Sequence, residues 1–354
     1  MRRPPEALFA LGRPFSPLYA MAMRLRALLY RKDLLLHPTR VSIPVISVGN
    51  LTMGGTGKTP MVLYLARLLR SMGKRPAIVS RGYGGHGSDG VQVVADGQRI
   101  VLSPEVAGDE PCMLANALAD VPVLVGPRRA EVAREAIRLF GVDVIVMDDG
   151  FQHLALRRDL DLVLFSARTL LGNGRVFPGG DLRESVDALG RADAFVITGV
   201  DRQNRPGVDG LVARLEERFP WIPRFIGEYR PARVVSNEGD ERGGLANLQG
   251  VPLFGFAGIA QPDSFRQMLE RAGLVLVGFR AFGDHHSYCR QDIQELVASA
   301  QACGASALIA TEKDLVKLGL YRGELPLLGL QVNLYFGEPF DRFVTSRLDG
   351  LAQG

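Results

Sequence analysis

The chain has 354 residues, of which 47% are hydrophobic and 23% charged, and carries a net charge of +4. That length suits one large domain or two ordinary ones, and those fractions exclude an intrinsically disordered chain and a polytopic membrane protein. The charge excess is too small to identify a nucleic-acid partner, and no basic run is interleaved with aromatics. The three cysteines, Cys112, Cys289 and Cys303, lack the spacing of a zinc site or a disulfide framework, which fits a reducing cytoplasm.

The N-terminal stretch ALFALGRPFSPLYAMAMRLRALLYRK is apolar and basic together. Its longest uncharged run, Pro14 to Met23, falls well short of the roughly 18–20 residues that a spanning helix needs. From Leu18 onward, Leu18, Ala22, Leu25 and Leu29 recur at helical spacing with Met21 and Leu28 alongside, while Arg24 and Arg31 project from the opposite side. Such a helix either lies in a membrane interface or packs on its own domain, and the spacing leaves both open.

After Leu36 the sequence alternates short β-branched runs with helical patterns: VSIPVISV, then Lys58–Ser71, PAIVS, Asp109–Leu118, VPVLVG, Arg128–Phe140, VDVIVMDD, DLDLVLFS and DAFVITG. Continuous apolar strands alternating with helices predict a doubly wound, mostly parallel α/β sheet covered on both faces. Between about Asp201 and Gly250 the pattern weakens into polar sequence that reads as connection or loop. A second series, from VPLFGFAG to LPLLGLQVNLYF, predicts a second, smaller α/β domain. The expected division is an N-terminal helical region at 1–35, a core domain at 36–223 and a smaller C-terminal domain at 224–354.

Within this pattern, ISVGNLTMGGTGKTPMVLYLARLL runs from a strand through a glycine-rich turn into an amphipathic helix. That is the context of a phosphate loop, although Thr52 stands where the strict G-x-x-x-x-G-K-[ST] pattern has glycine. The loop comprises Thr52, Met53, Gly54, Gly55, Thr56, Gly57, Lys58 and Thr59. Its glycines let backbone N–H groups converge on phosphate oxygens at the positive end of a helix. Lys58 is placed to reach the β- and γ-phosphates of ATP, and the Thr59 hydroxyl to ligate Mg²⁺. The complementary acid stands at the carboxyl end of a neighbouring strand, where VDVIVMDDGFQH supplies Asp148 and Asp149 as candidate metal ligands. Paired aspartates after a strand also make turns and helix caps.

The ordered strings VGNLTMGGTGKTP, SRGYGG, GDEP, VGPRR, DDGFQH, GNGRVFPGGDLRE, FAGIAQPDSF, FGDHHSY and TEKD resemble the tetraacyldisaccharide 4′-kinases, the lipid A 4′-kinases of Gram-negative bacteria. The resemblance covers nearly the whole chain and implies a P-loop NTPase-like fold. It includes Thr52, since that family typically has xGGxGKT without the leading glycine. It also implies transfer of the ATP γ-phosphoryl group to the 4′-hydroxyl of an acylated glucosamine disaccharide 1-phosphate. The expected place is the cytoplasmic face of the inner membrane, where the protein would be peripheral, with the N-terminal helix at the interface and no nucleic-acid partner.

An alcohol nucleophile needs a base within reach, and the resemblance assigns that role to Asp109, with Glu110 beside it. Read from the residues alone, Gly-Asp-Glu-Pro looks like a helix start. By the same resemblance His285 orients or tunes Asp109, with His286 as its neighbour. Arg129 and Arg183 neutralise phosphate charge, for which a planar guanidinium is suited, whereas Arg128 and Arg175 are neighbours that can face solvent. Tyr83 contacts nucleotide or sugar, or packs locally, and His153 is ligand-facing or supports the acidic strand. Two other readings keep the phosphate loop: an ATP-dependent ligase, or a membrane-associated nucleotide switch or partition-type ATPase. Many partition-type ATPases carry a second lysine where Met53 stands.

Overall fold

A computed structural model of the chain describes residues 6–82, 90–236, 245–259, 262–284, 286–318, 321 and 323–352. Its contacts divide the chain into two units, Met1–Glu228 together with Leu334–Gly354, and Tyr229–Asn333.

The first unit opens with helices α1 (Glu6–Gly12) and α2 (Ser16–Arg31). It continues through β1 (Val45–Asn50), α3 (Lys58–Ser71), β2 (Pro76–Ser80), β3 (Gln92–Ala95), α4 (Pro104–Ala107), α5 (Asp109–Ala117) and β4 (Val123–Val125). Next come α6 (Arg129–Phe140), β5 (Val144–Asp148), β6 (Leu160–Ser166), β7 (Ala194–Thr198), α7 (Arg205–Arg218) and the start of β8 (Arg224–Ser236). The strands lie in the order β3-β4-β2-β5-β1-β6-β7-β8, parallel throughout except for β3, which runs antiparallel to β4. Every residue of β1, β2 and β5 is buried, as expected of central strands covered on both faces. α3 contributes a buried stripe of Met61, Val62, Leu65, Ala66 and Leu69, and α6 one of Val132, Ala133 and Ala136.

In the second unit, the remainder of β8 leads to β9 (Pro252–Ala257), α8 (Pro262–Arg271), β10 (Val275–Ala281), α9 (Arg290–Ala302), β11 (Ala307–Thr311), α10 (Glu312–Leu318) and β12 (Leu327–Tyr335). Strands β10, β9, β11 and β12 neighbour one another in that order, all parallel. The chain then re-enters the first unit as α11 (Glu338–Ala352). There the Tyr64 hydroxyl of α3 donates to Asp341, and the Tyr64 ring packs edge-on to Phe336 with centroids 4.9 Å apart.

Two sequence expectations differ from this arrangement. The last helix groups with the first unit, because Phe340, Val344 and Leu348 bury there, whereas the 224–354 boundary counts it with the smaller domain. The segment read as loop between 201 and 250 contains α7 and β8. Its apolar stripe is narrow, just Val208, Leu211 and Leu215, and Pro206, Gly207 and Gly210 weaken the local helical signal. Burial of that stripe against Phe195 and Phe219 overrides the propensity.

Candidate active site

The register Val48↔Asp148 sets the carboxyl ends of β1 and β5 side by side, the usual place for ligands in an open α/β sheet. From Asn50 the chain turns through the glycine-rich loop into α3. Gly54 and Gly57 have φ of 108° and 83°, a left-handed region that L side chains rarely adopt. A Cβ at Gly54 or Gly55 meets nothing within 4 Å, so the loop faces open space in which phosphate oxygens fit.

The loop is braced from two sides. The Thr198 hydroxyl at the end of β7 donates to the Thr56 carbonyl at 3.0 Å. The segment after Asn173 is laced to the loop entrance: Met53 N–H donates to the Asp181 carbonyl and Arg183 N–H to the Leu51 carbonyl, both at 2.8 Å. Thr52 itself is buried and pairs in a β-bridge with Leu182. An extended, paired position accommodates a β-branched residue, which accounts for threonine where the strict pattern has glycine.

Asp148 is 2% exposed. Its Oδ2 accepts from the Ser80 hydroxyl at 3.2 Å, while its buried Oδ1 has no partner. Burial pushes this carboxyl up to about 6, against the pull of Lys58 and with further repulsion from Asp149 and Glu110. Asp149 sits just past the end of β5 in a left-handed conformation at φ 51°. Its oxygens accept from Arg183 Nη1 at 3.0 and 2.9 Å, and Lys58 Nζ stands 3.4 Å away. Burial acts to raise this carboxyl too, but Lys58 and Arg183 outweigh it and hold Asp149 below the ordinary range.

The structure thus brings Lys58, Asp148, Asp149 and Arg183 together. Arg129, at the first position of α6, is 5% exposed; its Nη1 donates to the Pro127 carbonyl at 3.2 Å and its buried Nε has no partner. Burial and the neighbouring Arg81 disfavour its charge, and Asp149 and Asp148 favour it. His153 is depressed to about 4 by burial and by Arg129, Arg158, Arg26 and Arg81, which keeps its imidazole neutral. Asp109 and Glu110 lie exposed in the first turn of α5. Repulsion from Glu110 acts on Asp148, and repulsion from Asp109 acts on Cys112. Arg128 pairs with Glu131 at 3.0 Å, and Arg175 is exposed. Tyr83 and His285 lie outside the described residues. His286 is engaged locally, stacked on Phe282 and bonded to Asp292 at 3.0 Å.

Three residues around the site went unassigned in the sequence reading: Asn50, Ser80 and Gln152. Asn50 and Ser80 each end a buried strand with a polar side chain, and Gln152 follows the paired acids, so an uncharged polar group at a strand's carboxyl end was the available signal.

Among the described residues no group of three or more His, Cys, Asp and Glu side chains gathers as a metal cage. Mg²⁺ does not need one, since it takes one or two carboxylates and completes its shell with phosphate oxygens and water. The unpartnered, buried oxygen of Asp148 fits such a ligand.

A strand-loop-helix phosphate cradle backed by an acid on the adjoining parallel strand defines a P-loop NTPase-like nucleotide-binding protein. Comparison with known proteins narrows this class. The family described as tetraacyldisaccharide-1-P 4′-kinase matches residues 8–349. The chain is 47% identical over 339 residues to the tetraacyldisaccharide 4′-kinase of Desulfotalea psychrophila, with 96% of each chain covered. It is 43% identical to that of Geobacter metallireducens, covering 88% of this chain and 89% of the relative. Among solved structures, the "apo" form of LpxK from Aquifex aeolicus in complex with ATP superposes with a TM-score of 0.73 at 30% identity, over 95% of this chain and 98% of that one. The chain belongs to the tetraacyldisaccharide 4′-kinase family.

Proposed function

We propose that this protein transfers the γ-phosphoryl group of ATP to the 4′-hydroxyl of an acylated glucosamine disaccharide 1-phosphate, in lipid A biosynthesis. The observation that carries this reading beyond family membership is the meeting of Lys58 and Arg183 on Asp149, beside a phosphate loop that faces open space. Phosphoryl transfer asks mainly for positioning and charge neutralisation, and this arrangement supplies both. Backbone N–H groups of the loop grip the phosphates, while Lys58 and Arg183 neutralise charge on the transferred group, with Arg129 behind them. Thr59 and Asp148 would hold Mg²⁺, which offsets β- and γ-phosphate charge. Asp149 is the counter-ion that keeps the two cations in place. Asp109, exposed at the start of α5, accepts the proton of the attacking hydroxyl.

The acceptor's acyl chains belong in a bilayer, and α2 is suited to meet one. Leu18, Met21 and Leu25 on its outer face are 63%, 62% and 55% exposed. Its opposite side is turned to the protein, where Arg24 donates to Asp187 at 2.7 Å. Between α2 and the segments after β5 and β6 lies a cavity of about 540 Å³. Met23, Ala27, Tyr30, Leu156 and Arg157 line part of it, together with the ion pair of Arg191 and Glu184, so its wall is apolar with charged groups of both signs. No helix among the described residues is long and apolar enough to cross a membrane, so contact with the inner membrane is peripheral in this reading.

The test is incubation with Mg-ATP and acylated disaccharide 1-phosphate, followed by mass spectrometry. A product with one added phosphate is expected. ATP turnover that needs a protein partner, with no phosphorylated lipid, would instead mark a nucleotide switch.

A further inference from the structure

A closed ring of hydrogen bonds and ion pairs runs through the phosphate-loop lysine. Lys58 Nζ donates to Asn50 Oδ1 at 3.2 Å, and the Asn50 carbonyl accepts from Gln152 Nε2 at 2.9 Å. Gln152 Oε1 accepts from Arg183 Nη1 at 3.3 Å. The ring closes through Asp149, 2.9 Å from Arg183 and 3.4 Å from Lys58.

We propose that Gln152 is a positioning residue, which ties Arg183 to the end of β1 so that guanidinium and phosphate loop keep one geometry during transfer. The inference rests on the proposed role of Arg183 at the transferred phosphate.

The chemistry of this link is specific to an amide. A main-chain carbonyl requires a donor and a guanidinium requires an acceptor, and among uncharged side chains of this length only glutamine presents both from one planar group. The same two partners fix which end of the amide points where. A glutamate of identical shape cannot donate to the Asn50 carbonyl, and it competes with Asp149 for Arg183. The anchor is rigid at both ends. Asn50 is fully buried, with its Nδ2 bonded to the Thr52 carbonyl at 2.6 Å. Phe151, next to Gln152, is fully buried under the Arg191 guanidinium at 4.6 Å.

Asp149 alone does not aim Arg183 once a nucleotide arrives. Lys58 and Arg183 must then turn part of their charge from its carboxylate to phosphate oxygens. The neutral contact with Gln152 does not compete in that exchange, so it holds the guanidinium's direction while its ionic partner changes.

The experiment compares Gln152→Glu, Gln152→Ala, Arg183→Ala and the Gln152→Ala/Arg183→Ala double variant in the lipid phosphorylation assay, with thermal melting to check folding. Both Gln152 variants are expected to lose about 10–100-fold in kcat, the scale of a misplaced catalytic group, with KM for ATP within about threefold. The double variant should be no slower than Arg183→Ala beyond about twofold, since Gln152 acts only through Arg183. A Gln152→Glu enzyme with wild-type kcat, losses confined to KM, or losses that multiply in the double variant would each overturn the role. Absence of lipid phosphorylation by the wild-type chain would overturn the kinase reading itself, whereas normal wild-type turnover beside an unaffected Gln152→Glu removes only this inference.

Discussion

Asp149 holds Arg183 and Lys58 at once, with Arg183 Nη1 at 3.0 and 2.9 Å from its two oxygens and Lys58 Nζ at 3.4 Å. The carboxylate keeps two cations side by side that would otherwise repel, poised for a ligand of higher negative charge. Arg183→Ala is therefore expected to lower kcat by about 10²–10³-fold, as removal of a transition-state donor does, with a small change in KM for ATP. Arg183→Lys should recover little, because Nη1 alone meets Asp149 and Gln152, and an ammonium in its place has no further nitrogens to present to phosphate oxygens as a planar guanidinium does. Steady-state kinetics on phosphorylated lipid checks both.

The first turn of α5 offers two carboxylates, Asp109 and Glu110, and kinetics of their amide variants separates them. Asp109→Asn should cost about 10²–10⁴-fold in kcat, the range for a lost general base. Glu110→Gln, which removes a charge that repels Asp148, should cost less than about tenfold and shift the Mg²⁺ dependence, since one repulsive charge beside the acid proposed to hold the metal is gone. The reverse order of losses would transfer the base assignment to Glu110.

Gly49 lies where two segments touch. A Cβ there would stand 2.5 Å from Phe151 Cβ and 2.6 Å from its main-chain nitrogen, and the backbone contact cannot rotate away. Gly49→Ala should destabilise the protein by about 1–3 kcal/mol or more, the scale of an overpacked core. A lowered denaturant midpoint is the readout.

His153 makes the fold sensitive to acid. Its native pKa of about 4 lies below the ordinary 6.5, so between those values the unfolded chain binds a proton that the native state does not. Stability is thus complete above pH 6.5 and declines as the pH falls toward 4, by about 1–2 kcal/mol after allowance for solvent screening. His153→Gln should flatten that part of the curve in denaturation measured at pH 7 and pH 5.

The outward face of α2 can be tested without disturbing a core. Leu18, Met21 and Leu25 are each more than half exposed, so changing all three to glutamate should lower the melting temperature only slightly. Binding to anionic vesicles, measured by sedimentation, should fall sharply, because apolar contact is lost and like charge is added. Undiminished vesicle binding would place membrane contact elsewhere.

Much of this was legible because the signals are local. Strand, glycine turn and helix occur within residues 45–71, and Asp148 and Asp149 follow an unbroken apolar run. What the sequence hid is relational. That Arg183 meets Asp149 depends on the pairing of Thr52 with Leu182, a contact across 130 residues without periodicity to announce it. Gln152 and Asn50 are short-range polar residues whose importance appears only when one amide is seen to reach two partners. α2 showed its amphipathic spacing but not its orientation, since alternating apolar and basic faces do not say which is turned to the protein. α7 failed for a different reason: its propensity is poor and tertiary burial decides.

The Tyr64–Asp341 contact and the stack of Phe336 on Phe340, 4.3 Å between centroids, bring the stretch that follows β12 against the helix that follows the phosphate loop. Until that stretch has been made, α3 presents Tyr64 without its aromatic cover, a surface of the kind chaperones hold. Messages cut short just upstream of Phe336 should therefore yield polypeptides that retain every nucleotide-contacting residue proposed here and still be cleared by proteolysis.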